Sequence, residues 1–176
     1  DAHEGTLTST ENISPTLIHQ EFIKTVGIFV NETLDNLVTI ATEVNLDAVQ
    51  LHGDEDEAFI QSLKERTNVE VWKAVQIRSA ADAEAWIDSS ADMLLFDAYH
   101  KDERGGTGEV FDWSCLDEFE RPFMLAGGID STNVARAIRT VRPYGIDISS
   151  GIETEGVKDD EKIKAFTNIV RTIAMP

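Results

Sequence analysis

The chain has 176 residues, 41% of them hydrophobic, enough for one domain with a buried core but short for a closed eight-unit α/β barrel, which rarely runs below about 200 residues. Thirty-three acidic residues against fifteen basic ones give a formal net charge of −18, a surface that repels phosphate backbones and anionic lipid and so argues against nucleic acid and membrane as partners. The lone cysteine, Cys115, excludes an intrachain disulfide and a cysteine zinc cluster. No apolar run approaches the roughly 20 residues of a membrane span, and the N-terminus lacks a basic and apolar leader, so a cytoplasmic location is expected.

Residues 1–14 are polar and without sustained period; a loop or frayed end is expected there, with residues 15–176 forming the units of a single domain. Ser14 and Pro15 have the pattern of an N-cap followed by proline at the first helical position, which predicts a short helix through about Lys24. Short apolar runs follow at 26–30, 48–52, 69–77, 93–97, 123–127 and 145–149. Amphipathic stretches at 34–43, 56–66, 80–88, 113–118, 132–139 and 160–172 separate or follow them; in the first, Leu34, Leu37, Val38 and Ala41 share one helical face. This alternation predicts parallel strands with crossover helices. Six strands are counted, two units short of an eight-stranded barrel.

The parity of polar residues within the runs is informative, because successive strand side chains point to opposite faces. Ala48, Gln50 and His52 share one face of their run, opposite Val49 and Leu51. Asp97 shares a face with Met93 and Leu95, and Asp147 shares one with Ser149. Each of these strands thus has an apolar face for helices and another that turns polar near its C-terminal end, where barrel enzymes place their chemistry. A doubly wound sheet can also carry polar groups there. Lys73, which faces away from Trp72 and Ala74, is expected to point inward, either to offset carboxylate charge on a ligand or to form an interior salt bridge.

Two of the runs close with small residues and open onto helical segments: Ala126-Gly127-Gly128 and Ser149-Ser150-Gly151. Such turns let backbone approach a phosphate, and free N–H groups hold it without a basic side chain. One such turn alone is an ordinary tight turn. Two on consecutive strands match the phosphate site that many barrels build after their last two strands.

The segments QLHGDE (50–55), LLFDAY (94–99), GGTGEVFDW (105–113), LAGGI (125–129) and VRPYGIDISSGIETEGVKD (141–159) are similar, in order and spacing, to phosphoribosylanthranilate isomerase. The likeness runs from about Val26 to the C-terminus. It implies a (β/α)8 TIM barrel of the phosphate-binding type, here with about six units, and an Amadori rearrangement in tryptophan biosynthesis that uses no metal or organic cofactor. The implied partner is a small phosphorylated substrate, bound by a monomer or homodimer.

In that family a general acid opens the ribose ring to a Schiff base, and a general base then removes the C2′ proton. Asp97 falls on the family's acid. A carboxyl ending the run Met93-Leu94-Leu95-Phe96 is also expected to be desolvated and so to retain a proton more readily. His52 matches the family's active-site histidine, and Asp147 matches a pocket aspartate placed to meet the anthranilate amine or sugar hydroxyls. Gly127, Gly128, Ser149, Ser150 and Gly151 match the phosphate cradle. The glycine-rich stretch 105–113 is not a nucleotide fingerprint; the resemblance implies that it folds over substrate above Phe111 and Trp113. His3, His19 and His100 lack ligand spacing and are expected at the surface.

Two family features are missing. The first-strand Lys-x-Cys-Gly-x-Thr segment that supplies the base has no counterpart, and neither does the second-strand Ser-x-x-Arg that takes the anthranilate carboxylate. Cys115, after Phe111-Asp112-Trp113-Ser114, reads as a small buried residue. Loss of the first two βα units fits the intact remainder. The rival readings are another phosphosugar barrel and a catalytically silent phosphate-binding or assembly module.

Overall fold

The computed structural model describes residues 23–98 and 112–174. Of the expected N-terminal helix only residues 23 and 24 fall in that range, where they are not helical; the rest of it, the expected loop at 1–14, the stretch 99–111 with Phe111, and His3, His19 and His100 lie outside the described residues.

Six parallel strands form one sheet in strict chain order: β1 (Val26–Phe29), β2 (Ala48–Leu51), β3 (Glu70–Ile77), β4 (Met93–Ala98), β5 (Phe123–Ala126) and β6 (Gly145–Ile146). Neighbours in sequence are neighbours in space, so every crossover steps one strand in the same direction. That is barrel order, not the reversing order of a doubly wound sheet.

Helices α1 (Leu34–Val44), α2 (Glu57–Arg66), α3 (Ala80–Glu84) and α4 (Val134–Val141) make crossovers, and α5 (Asp160–Ala174) is the last described element. Their limits follow from local chemistry. The Thr33 side chain caps α1 and that of Asp56 caps α2, each accepting an N–H from the first turn. Ser79 and Asp82 form a reciprocal capping box at α3. Asn45 ends α1 and Arg142 ends α4 in left-handed conformation, the latter just before Pro143.

Three elements differ from the sequence expectation. The expected helix at 113–118 is a 3-10 turn, Trp113–Leu116, because the chain must swing Phe119 inward, where it stacks edge-on to Phe96 (4.9 Å) and Phe123 (5.8 Å). The third helix stops at Glu84, with turns continuing over the next four residues. The last strand of the sheet is only two residues long, and a hairpin of β7 (Glu153–Thr154) and β8 (Val157–Lys158), not anticipated from the sequence, follows a 3-10 turn at Ser150–Ile152.

Two apolar layers result, and they are unequal. The helix-facing side holds Leu37, Val49, Leu51, Ile60, Leu63, Val71, Val75, Leu94, Phe96 and Leu125 among others in one large cluster. The inner face has a small one, Ala74, Leu95 and Ala126 with Met124 against them. Among the described residues no helix is long and apolar enough to cross a membrane.

Candidate active site

The C-terminal ends of the strands converge on a cavity of about 690 Å³. Register explains its lining. Ile28 pairs with Gln50, and Asp97 with Ala126, so the inward-facing residues of β1, β2, β4 and β5 come together in space. Ile28, Val30, Gln50, His52, Asp97, Asp147 and the two small-residue turns share this one cavity.

His52 directly follows β2, where its backbone N–H donates to the carbonyl of Phe29 at 2.8 Å. The Gln50 amide meets its Nδ1 at 3.0 Å, with Gln50 Nε2 as donor. A neutral ring so engaged carries its proton on Nε2, which lies 3.5 Å from Asp97 Oδ2. Gln50 does not stand out as a site residue in the sequence, although it shares His52's parity.

Asp147 leaves β6 with its N–H bonded to the Leu125 carbonyl at 2.9 Å. Its side chain is exposed at the cavity mouth, with the carboxylate partly desolvated by the surrounding wall. Burial pushes this carboxyl above the ordinary aspartate value, the charge of Asp97 adds to the shift, and His52 and Lys158 partly oppose it.

The two turns are adjacent. Gly127 and Gly128 both have positive φ, 86° and 59°. The Gly128 carbonyl is turned away to accept from Asn133 Nδ2 at 2.8 Å. Asp130, through Oδ1, accepts N–H donors from Thr132 and Asn133 and fixes the bend into α4. Gly151 does not line the cavity; it lets the second turn press against the first. A Cβ there would sit 2.1 Å from the Ile129 carbonyl oxygen, so only glycine permits the approach.

Lys73 is the clear departure. It shares its face with Val71, Val75 and, across the strand pair, Leu51, all in the helix-side layer, so it points out of the barrel and not into it. There it is buried against Glu55 (3.1 Å), with its ammonium also donating to the Gly53 carbonyl at 2.6 Å. Glu55 in turn accepts the N–H of Asn31 at 2.7 Å and of Gly53 at 2.9 Å. The pair thus staples the loop that carries His52 to β1 and β3. Assigning every strand-borne charge to the interior overlooks a partner 18 residues upstream.

Cys115 belongs to the helix layer as well, lining a separate cavity with Ala83 and Ile87. Burial and the nearby charge of Asp112 push its thiol above the ordinary value, the opposite of what a thiolate base needs. Trp113 is buried, with the Arg136 guanidinium 4.7 Å over its ring. Among the described residues, no group of three or more histidines, cysteines and carboxylates is disposed to hold a metal ion.

Strand order, inner-face acid and twin small-residue turns define a (β/α) barrel of the phosphate-binding type. Comparison with known proteins narrows this. A family model described as N-(5'phosphoribosyl)anthranilate (PRA) isomerase matches residues 4–169. The N-(5'-phosphoribosyl)anthranilate isomerase of Thermoanaerobacter sp. (strain X514) is 47% identical over 153 residues, covering 86% of this chain and 74% of its own. The crystal structure of phosphoribosyl anthranilate isomerase from Thermotoga maritima superposes with a TM-score of 0.75 at 36% identity, over 86% of this chain and 74% of that one. A structure of the enzyme in complex with reduced 1-(o-carboxyphenylamino)-1-deoxyribulose 5-phosphate gives a TM-score of 0.72 at 34% identity, over 86% and 73%. The chain belongs to the phosphoribosylanthranilate isomerase family of tryptophan biosynthesis.

Proposed function

We propose that this cavity carries out the family's Amadori rearrangement, turning N-(5-phosphoribosyl)anthranilate into 1-(2-carboxyphenylamino)-1-deoxyribulose 5-phosphate. The observation that carries this reading is the meeting, in one cavity, of the β4 carboxyl group and the paired turns after β5 and β6. The turns at Gly127-Gly128 and Ser149-Ser150 hold the phosphate, and Gly151 lets them close on it.

With the phosphate anchored, the sugar extends toward Asp97. As the acid, Asp97 gives its proton to the ribose ring oxygen; the C1′–O bond breaks, and the nitrogen lone pair forms the Schiff base. His52 Nε2, 3.5 Å from Asp97 Oδ2, stands beside the carboxylate left behind. Asp147, whose raised pKa keeps a larger protonated fraction, hydrogen-bonds the anthranilate amine or the sugar hydroxyls. Ile28 and Val30 offer an exposed apolar wall to the aromatic ring. A base that is not among the described residues of the cavity takes the C2′ proton, and the resulting enolamine tautomerises to the ketone. Cys115, held in the helix layer, does not take the place of the family's cysteine base.

The test is Asp97→Asn in the full natural polypeptide that carries these residues, followed through anthranilate fluorescence. Turnover should fall about 10²–10⁴-fold while binding of the phosphorylated substrate stays within about threefold. Turnover within about threefold of the parent would refute the acid assignment. Binding with no turnover in the parent protein would mark a phosphate-binding module instead.

A further inference from the structure

The cavity carries two carboxylates, Asp97 and Asp147, and the chain has a formal net charge of −18, yet the ligand read above is a phosphate dianion. Among the described residues that line it, the only lysine or arginine is Lys158. This side chain is not placed there by the sheet. It comes from the hairpin, whose two-residue turn has positive φ at both Glu155 (53°) and Gly156 (78°), folding β8 back along β7 and over the second small-residue turn.

The hairpin is tied down at its base. The Asp159 N–H donates to the Ile152 carbonyl at 2.9 Å, Thr154 Oγ1 donates to Asp159 Oδ2 at 2.7 Å, and Asp159 also caps α5 by accepting N–H groups of Glu161 and Lys162. Lys162 donates to the Glu153 carbonyl. Lys158 therefore has a supported backbone and an ammonium that contacts Ser149 twice, at its carbonyl (2.9 Å) and its hydroxyl (3.1 Å). Its third partner is the Glu153 carboxylate at 2.6 Å.

We infer that Lys158 is the phosphate-binding cation of this site and that Glu153 is its counter-ion in the absence of ligand, an inference resting on the reading of the two turns as a phosphate cradle. A phosphate oxygen hydrogen-bonded to the Ser149 hydroxyl lies roughly 2.7 Å from that oxygen, which brings it into direct reach of an ammonium already on the same atom. Amides supply direction, and Lys158 supplies positive charge beside the phosphate dianion. Glu153 competes with the ligand for the ammonium, so it lowers phosphate affinity and keeps the lysine in position while the site is empty.

The competition gives the two partners opposite signs, which a structural brace does not. Binding of inorganic phosphate to the full natural polypeptide, measured by calorimetry at constant ionic strength, distinguishes them. Lys158→Met should weaken phosphate about tenfold, Lys158→Arg should stay within about threefold, and Glu153→Gln should tighten it about threefold. Ser150→Glu, a carboxylate placed in the exposed cradle, should abolish binding and so tests the underlying site separately. If Ser150→Glu abolishes binding but Lys158→Met changes it less than twofold, the cradle stands and the role of Lys158 is wrong. If Lys158→Met and Glu153→Gln both weaken phosphate, the pair is only a hairpin brace and the inference fails. If Ser150→Glu has no effect, the phosphate lies elsewhere and both readings fall.

Discussion

Lys73→Met removes one half of an ion pair in which each side chain is 3% exposed. The ammonium's contacts with Glu55 at 3.1 Å and the Gly53 carbonyl at 2.6 Å disappear, while the carboxylate stays enclosed. Burial opposes ionisation of Glu55, but the N–H groups of Glu55 itself and Asn31, together with Lys73, outweigh it and hold the carboxyl below its usual range. Leaving such a charge uncompensated costs about 3–5 kcal/mol. Urea unfolding at pH 7 should show that loss with an unchanged slope, and Lys73→Met/Glu55→Gln should recover much of it. The sign with pH follows from linkage. Glu55 has a depressed folded-state pKa, so its contribution in the parent is present above the ordinary value of 4.5 and fades as pH falls through the depressed one. In the variant the deficit should therefore shrink on acidification. A loss under about 1 kcal/mol, or one equally large at pH 4 and 7, would refute the reasoning.

Asp147→Asn should make stability less sensitive to rising pH. A carboxyl with a raised folded-state pKa contributes fully below the ordinary value of 3.8 and loses that contribution as pH climbs through the raised one, so the variant should gain on the parent between acidic and neutral pH in urea titrations. Gly151→Ala forces a Cβ to 2.1 Å from the Ile129 carbonyl oxygen; calorimetric phosphate titration should show lost binding, and unfolding should show a cost of about 1–3 kcal/mol. Arg142→Gly relieves a left-handed backbone at φ 45° ending α4 and should raise the urea midpoint, equivalent to up to about 1 kcal/mol.

Period-two alternation is a backbone property, so the inward placement of Gln50, His52 and Asp97 and the outward placement of Val49 and Leu51 are legible in the sequence alone. Helix starts are legible for a similar reason, since Asp56 and Ser79 act within their own first turns. Lys73 obeys the same alternation, on the face of Val71, Val75 and Ile77; what the sequence hides is its partner Glu55, a contact made only when β3 meets the loop after β2. The turn at 113–116 is set by packing of Phe119 against Phe96 and Phe123, partners on two other segments. Lys158 is inconspicuous in the sequence because its hairpin turns on Glu155, a residue rarely found with positive φ. The Glu155-Gly156 pair between Thr154 and Val157 is the signal that could have exposed it.

The imbalance between the two apolar layers bears on how this scaffold can change. Among the described residues, apolar packing lies mainly where helices cover the sheet, whereas the inner lining is a thin patch around Ala74, Leu95 and Ala126. Substitutions facing the bore therefore forfeit little cohesion even when they abolish turnover, so selection can rewrite specificity there while the outer shell keeps the chain folded.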